Sequence, residues 1–341
     1  MTRINRFAHT LLLAATVAVV FLAAPNADAR RQRLRLTTLA PKDSSFHKSL
    51  LRMSSEWKKA TAGQVDLIIF AGGVQGGETA MIDRMRVNQT QGALITGVGL
   101  AEIDPAVAGL QQVPLMFRSY EELEYVMDEM APVLDARIEA KGFVVIGWID
   151  TGWIRIFSKE PILTPEDMGK GKLYTWAGDT KQTDLLKHMG FRPVPIDSTE
   201  IASGLQTGLI DTVPLPPFYA LALQSYKPAP YMLDIQYTPL VGALVFSKKS
   251  WERIAPEHRE AMREIAQRVA VEMRTAGREE NENAIRVMKE KWGLRVQEAD
   301  QQILDAWQET SRKAYSLIRD NTVPAEIFDE VVRLLEETRS Q

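Results

Sequence analysis

The sequence predicts an α/β protein of two lobes with a helical carboxyl-terminal part. Three observations carry this expectation. Short apolar, β-branched runs alternate with amphipathic segments through most of the chain, as strands and helices laid into mainly parallel sheets require. From Ser250 the pattern changes to long, charged, amphipathic helices. At 341 residues the chain also exceeds the usual span of a single hydrophobic core.

The elements follow in order. Arg3 and Arg6 precede an apolar stretch from Leu11 to Ala24, and Ala27-Asp28-Ala29 closes it with small residues. Residues 1–29 therefore read as a signal peptide that is cleaved on export to the periplasm, its apolar stretch falling short of the ~20 residues that span a bilayer. Arg33 to Thr38 alternates polar and apolar residues as a strand does, and Ser44 or Ser45 caps a helix running through Lys59. Val65 to Phe70 is a buried strand, Gly72 to Gly77 a loop, and Met81, Ile82 and Met85 mark the helix after it. Ala93 to Val98 is the next strand. A second α/β unit begins with Val144 to Ile149 and Trp153 to Phe157, then continues through Lys172 to Trp176 and Val194 to Ile196. Leu240 to Phe246 is a further buried strand, and helices are expected over Pro256 to Trp292, Ala299 to Arg319 and Pro324 to Arg339.

Composition removes several function classes. A formal charge of -3 supplies no clustered cationic surface for nucleic acid. The absence of cysteine excludes disulfides, thiol nucleophiles and thiolate metal sites. His47, His188 and His258 lie too far apart to form a local ligand motif. Gly72 to Gly77 has neither the Gly-Lys-Ser/Thr ending of a P-loop nor G-x-G-x-x-G spacing, so no nucleotide, cofactor or metal is expected. No G-x-S-x-G or H-E-x-x-H arrangement points to an enzyme.

Several segments in sequence order carry a resemblance: Leu39-Ala40-Pro41, Ala71 to Glu78 (AGGVQGGE), Gly99 to Asp104 (GLAEID) and Val113 to Phe117 (VPLMF) with Ser119-Tyr120-Glu121. Pro165 to Met168, Gly204 to Asp211 (GLQTGLID) and Lys249 to Ile254 (KSWERI) continue it. Together they resemble the DctP-type solute receptors of tripartite ATP-independent periplasmic (TRAP) transporters. The resemblance implies a periplasmic-binding-protein fold: two α/β lobes around a ligand cleft, joined by hinge strands and a long bridging helix. Lobe I is expected over 30–151 plus about 238–275, and lobe II over 152–237 plus about 276–341 with the C-terminal helices. It also implies a small-molecule ligand taken by lobe closure, the small and large TRAP membrane subunits as partners, and more weakly a periplasmic helical-repeat protein.

The same resemblance locates the site. Carboxylate-binding members carry an Arg in the strand after a Leu-Lys-Gly turn, and Tyr174 occupies that position here. A second Arg often follows Gly-aromatic, where Gly152-Trp153 is followed by Ile154. A polar Glu-Asn-Pro is replaced by Pro214-Leu215-Pro216. A buried carboxylate without its cation keeps a desolvation cost of several kcal/mol, so a neutral or partly hydrophobic ligand is expected. Tyr174 and Trp176 share one strand face and should line the cleft. Trp153, Trp176, Leu215 and Phe218 serve either a pocket wall or the core, and Leu39 joins the candidates from its motif. Gln75 and Glu78 either touch ligand or cap a helix. Arg155 would restore an organic-acid ligand, as would a metal held by Glu78, Glu102 or Asp104; strand alternation turns Arg155 away if Ile154 faces inward.

Overall fold

The computed structural model describes residues 31–340, so the expected signal peptide lies outside the described residues. The first sheet grows from β1 (Gln32–Thr38), β2 (Val65–Phe70), β3 (Gly92–Thr96) and β4 (Phe143–Trp153). Between them run α1 (Ser45–Ala60), α2 (Glu78–Arg86), α3 (Gly97–Ile103) and α4 (Tyr120–Ala140). Ser44 starts α1 by accepting from His47 N at 3.3 Å, and Ser119 starts α4 by accepting from Glu122 N at 3.2 Å. Each hydroxyl satisfies an amide that the first helical turn leaves unpaired.

The second lobe contains β5 (Arg155–Ser158), α5 (Pro165–Lys170), β6 (Lys172–Trp176), α6 (Thr180–His188), β7 (Arg192–Ile196), α7 (Ile201–Thr207), β8 (Thr212–Leu215), α8 (Pro217–Ala222) and β9 (Tyr231–Asp234). The chain then returns through β10 (Pro239–Ser247) and α9 (Lys248–Trp251) to α10 (Pro256–Trp292). It ends in β11 (Arg295–Glu298), α11 (Gln301–Asn321) and α12 (Ala325–Ser340).

The sheets run β2-β1-β3-β10-β4 and β11-β9-β5-β8-β6-β7. They are mixed: β10 is antiparallel to β3 and β4, and β5 is antiparallel to β8 and β9. These are the strands by which the chain crosses between lobes, and a returning strand opposes the direction of the strands it joins. Only Ile154 separates β4 from β5. Ile154 N donates to Thr238 O at 2.8 Å and Tyr237 N to Ile154 O at 3.2 Å, so the two crossings pair with each other. Gly152, at φ +85°, permits the turn; a Cβ there would stand 2.9 Å from both Asn281 Nδ2 and Tyr120 Oη.

A third connection is α10, whose 37 residues extend about 55 Å at the usual helical rise. Met262, Ala266, Val269 and Met273 enter the first lobe's core, while Ala284 and Met288 enter the second's. Beside the crossing, buried Asp150 receives Arg278 at 2.8 Å and Arg274 at 3.3 Å, fastening the helix to β4.

The expected division of the carboxyl terminus differs from the structure. The resemblance puts about 276–341 in lobe II, yet α12 buries Val331, Leu334 and Leu335 in one cluster with Leu123, Val126 and Met130 of α4 in the first lobe. Arg339 adds an ion pair to Glu122 at 2.7 Å. The cause is a break inside α11, where Arg319 has ψ 129° and Asp320 φ 76°, which redirects the apolar stripe of the last helix onto α4. Among the described residues no helix is long and apolar enough to cross a membrane, and no cluster of potential metal ligands occurs.

Candidate ligand-binding cleft

The two lobes touch across a cleft that leads to a cavity of about 180 Å³. An engineered cavity of about 150 Å³ accommodates benzene, so a small ring or branched chain fits. The first lobe contributes Leu39, Glu78, Thr96, Gln111 and Gln112; the crossings contribute Ile154, Tyr237 and Thr238. The second lobe supplies Tyr174 and Trp176 from β6, Leu215 from β8, Tyr219 from α8, and Leu185 and Met189 from the region of α6. Parallel pairing of β6 with β7 holds Tyr174 opposite Val194 and Trp176 opposite Ile196. No Arg, Lys or His borders this cavity among the described residues.

Its polar groups are uncharged hydroxyls and amides, among them Gln111, Gln112, Gln182 and Thr238, together with the carboxyl of Glu78. Burial pushes the hydroxyls of Tyr219 and Tyr237 up to about 12 and raises that of Tyr174 further, so all three stay protonated and can donate or accept a hydrogen bond. Glu78, only 3% exposed, accepts from Thr96 N at 2.6 Å, Thr96 Oγ1 at 2.8 Å and Gly99 N at 3.0 Å. Burial outweighs those hydrogen bonds and lifts its carboxyl to about 7, with like-charged Glu102 adding to the rise.

At the mouth, Gln112 Nε2 of the first lobe donates to Asp179 Oδ2 of the second at 2.9 Å. Gly77 faces Asp197 so closely that a Cβ on it would overlap the carboxylate. These contacts close the cleft.

The remaining candidates lie elsewhere. Arg155, largely buried, pairs with Asp234 at 2.6 Å, and its guanidinium does not border the cavity, whereas neighbouring Ile154 does. Trp153, 4% exposed, stacks on Tyr120 with ring centroids 5.4 Å apart inside the first lobe's core. Phe218 stacks on Phe46 at 5.4 Å and borders a smaller adjoining cavity. Gln75 borders neither; its carbonyl receives Arg84 Nε at 3.1 Å. Gln112, Tyr219 and Tyr237 were not singled out from sequence. Gln112 directly precedes the Val113 to Phe117 motif and Tyr219 follows Phe218, so proximity to motif residues was the available signal for those two.

A family model described as "Bacterial extracellular solute-binding protein, family 7", the DctP family, matches residues 36–321. The chain belongs to this family. This DctP-type receptor is 25% identical over 263 residues to the 2,3-diketo-L-gulonate-binding periplasmic protein of Escherichia coli, covering 76% of this chain and 79% of the relative. It is 21% identical over 282 residues to the C4-dicarboxylate-binding periplasmic protein of Rhodobacter capsulatus, covering 81% and 83%. Among solved structures, the sugar acid binding protein of Advenella mimigardefordensis in complex with galactonate matches with a TM-score of 0.84 at 18% identity, over 90% of this chain and 99% of that one. The DctP-type receptor thus shares the two-lobe fold of the family, whose members are periplasmic transport binding proteins working with membrane subunits.

Proposed function

We propose that this TRAP receptor captures a small neutral or partly hydrophobic solute by lobe closure and delivers it to its membrane subunits without chemical change. The observation that carries the ligand class is the cavity wall, which among the described residues combines aromatic and aliphatic side chains with uncharged tyrosine, glutamine, threonine and serine groups, one buried carboxyl and no cation. An anion entering would lose its water and meet Glu78 instead of a guanidinium, at a cost of several kcal/mol. Apolar ligand area would gain about 25 cal/mol per Å² on burial. Tyr174, Trp176, Ile154, Leu215, Leu39 and Glu78 are the residues proposed to contact the solute. Closure is what the membrane subunits would recognise, and a periplasmic helical-repeat protein would be a further partner.

A second reading, an organic-acid ligand, draws support from structural relatives solved with D-glucuronate and orotic acid. Here it would depend on tyrosine hydroxyls and a protonated Glu78, because Arg155 is committed to Asp234.

The two readings separate in one experiment. Protein purified from its own periplasm is examined by native mass spectrometry for a bound molecule, and a panel of neutral solutes and sugar acids is scored by thermal stabilisation, which at 100-fold excess over Kd is worth about 2.7 kcal/mol. A neutral or amphipathic ligand is expected. Saturable stabilisation by glucuronate, with none by neutral compounds, would overturn the proposal.

A further inference from the structure

Beside the main cavity lies a second one of about 90 Å³, and the two share Leu39, Glu78, Thr96, Tyr219 and Leu240. The second chamber is walled chiefly by Phe46, Leu94, Ile149, Phe218 and Val241, and Arg, Lys and His are absent from its lining among the described residues. Stacking of Phe46 on Phe218 joins the two lobes' walls there. The chamber is smaller than the ~150 Å³ space that holds benzene, so it suits a branched alkyl arm of roughly four or five carbons.

Glu78 stands at the joint. A carboxylate offers about four lone-pair positions; Thr96 and Gly99 occupy three, two of them on Oε2. One position on Oε1 is left, and among the described residues the charge has no cationic partner: the like-charged Glu102 is the neighbouring ion acting on it. Three donors from β3 and α3 fix the carboxyl in place, so a ligand meets it already oriented. A donor bearing positive charge is the complement that this arrangement lacks, because it would both fill the free position and neutralise a buried anion.

We propose that the two cavities form one bipartite site that selects an amphipathic amine, whose ammonium donates to Glu78 Oε1 at the joint and whose compact alkyl arm fills the second chamber. This rests on the receptor reading above, keeping its partly hydrophobic ligand and giving that ligand a cationic head. The main cavity, with Tyr174 and Trp176, takes the remainder of the molecule.

Three probes of one shape test it: 3-methylbutylamine, 3-methylbutan-1-ol and 4-methylpentanoate, titrated into the full mature protein by NMR and calorimetry. The amine should bind about tenfold or more tightly than the alcohol, the effect of one hydrogen bond to a charged group, and the acid should bind weakest. Glu78→Gln should abolish the amine's advantage over the alcohol. Ala40→Leu, at the second chamber's wall, should weaken amine and alcohol alike. Equal binding of amine and alcohol, with the acid excluded, would overturn the role of Glu78 and leave the non-anionic reading standing. Tighter binding of the acid would overturn both. Failure of all three probes would overturn the bipartite site.

Discussion

Tyr174 puts a phenol in the cavity wall, at the position where the resemblance to carboxylate-binding receptors implies a guanidinium. Tyr174→Arg should therefore weaken the native ligand by about tenfold or more, a loss of roughly 1.4 kcal/mol that calorimetry resolves; unchanged affinity would remove Tyr174 from the wall. Glu78 gives a second prediction. Its folded-state carboxyl titrates near 7 against 4.5 unfolded, so the folded chain holds the proton more tightly. That contribution to stability is complete below about pH 4.5 and is lost as pH rises through 7. Glu102, Asp197, Tyr174 and Tyr219 are the titratable groups around it. The melting temperature of wild type minus that of Glu78→Gln should fall between pH 4.5 and 7; a difference that rises would contradict the assignment. At this scale the sequence was readable where a motif fixed the position, as for Tyr174 and Ile154. It was ambiguous for Trp153 and Phe218, because an aromatic side chain suits a core and a pocket equally. Tyr237 escaped notice because its inward aim depends on the pairing of two crossings far apart in sequence.

Among the elements, the start of α2 decides whether the cleft can shut. Gly77 has φ -71°, which alanine adopts without strain, but an added methyl would overlap Asp197 of the other lobe. Gly77→Ala should cost under about 1 kcal/mol in the free protein, chiefly as a poorer helix cap. Ligand addition should then fail to reduce the radius of gyration seen by small-angle scattering; normal compaction would show that these loops do not limit closure. The bridging helix α10 makes a different prediction. Asp150→Asn takes the buried counter-charge from Arg274 and Arg278, which keep Glu124 at 3.9 and 2.7 Å, and should lower stability by about 1–2 kcal/mol in urea denaturation, less than the loss of a sole partner. Helix positions were legible from periodicity: α10 spans the residues the pattern indicated, and α11 and α12 agree within two. Strand direction was not, since alternation of side chains is the same in parallel and antiparallel pairs. The docking of α12 on α4 was hidden for a related reason, because it depends on a two-residue break at Arg319 and Asp320 that composition does not mark.

For the whole molecule, four covalent crossings join the two lobes, the last of them α11 leading from the second lobe's core to α12 on the first, and α10 places side chains in both cores. Calorimetry should accordingly show one unfolding transition rather than one per lobe, moved upward together by ligand; two resolved transitions would mean the cores melt independently. The order of the first sheet has a consequence for how the protein comes into being. Its interior strand β10, residues 239–247, lies between β3 and β4, so a nascent chain that has emerged only as far as Trp153 has an unfilled gap between those two strands. Such sequence-distant pairing is slow to form. The amino-terminal half must stay loose until some ninety more residues have appeared, which is the state that a translocation channel threading extended polypeptide demands of its cargo.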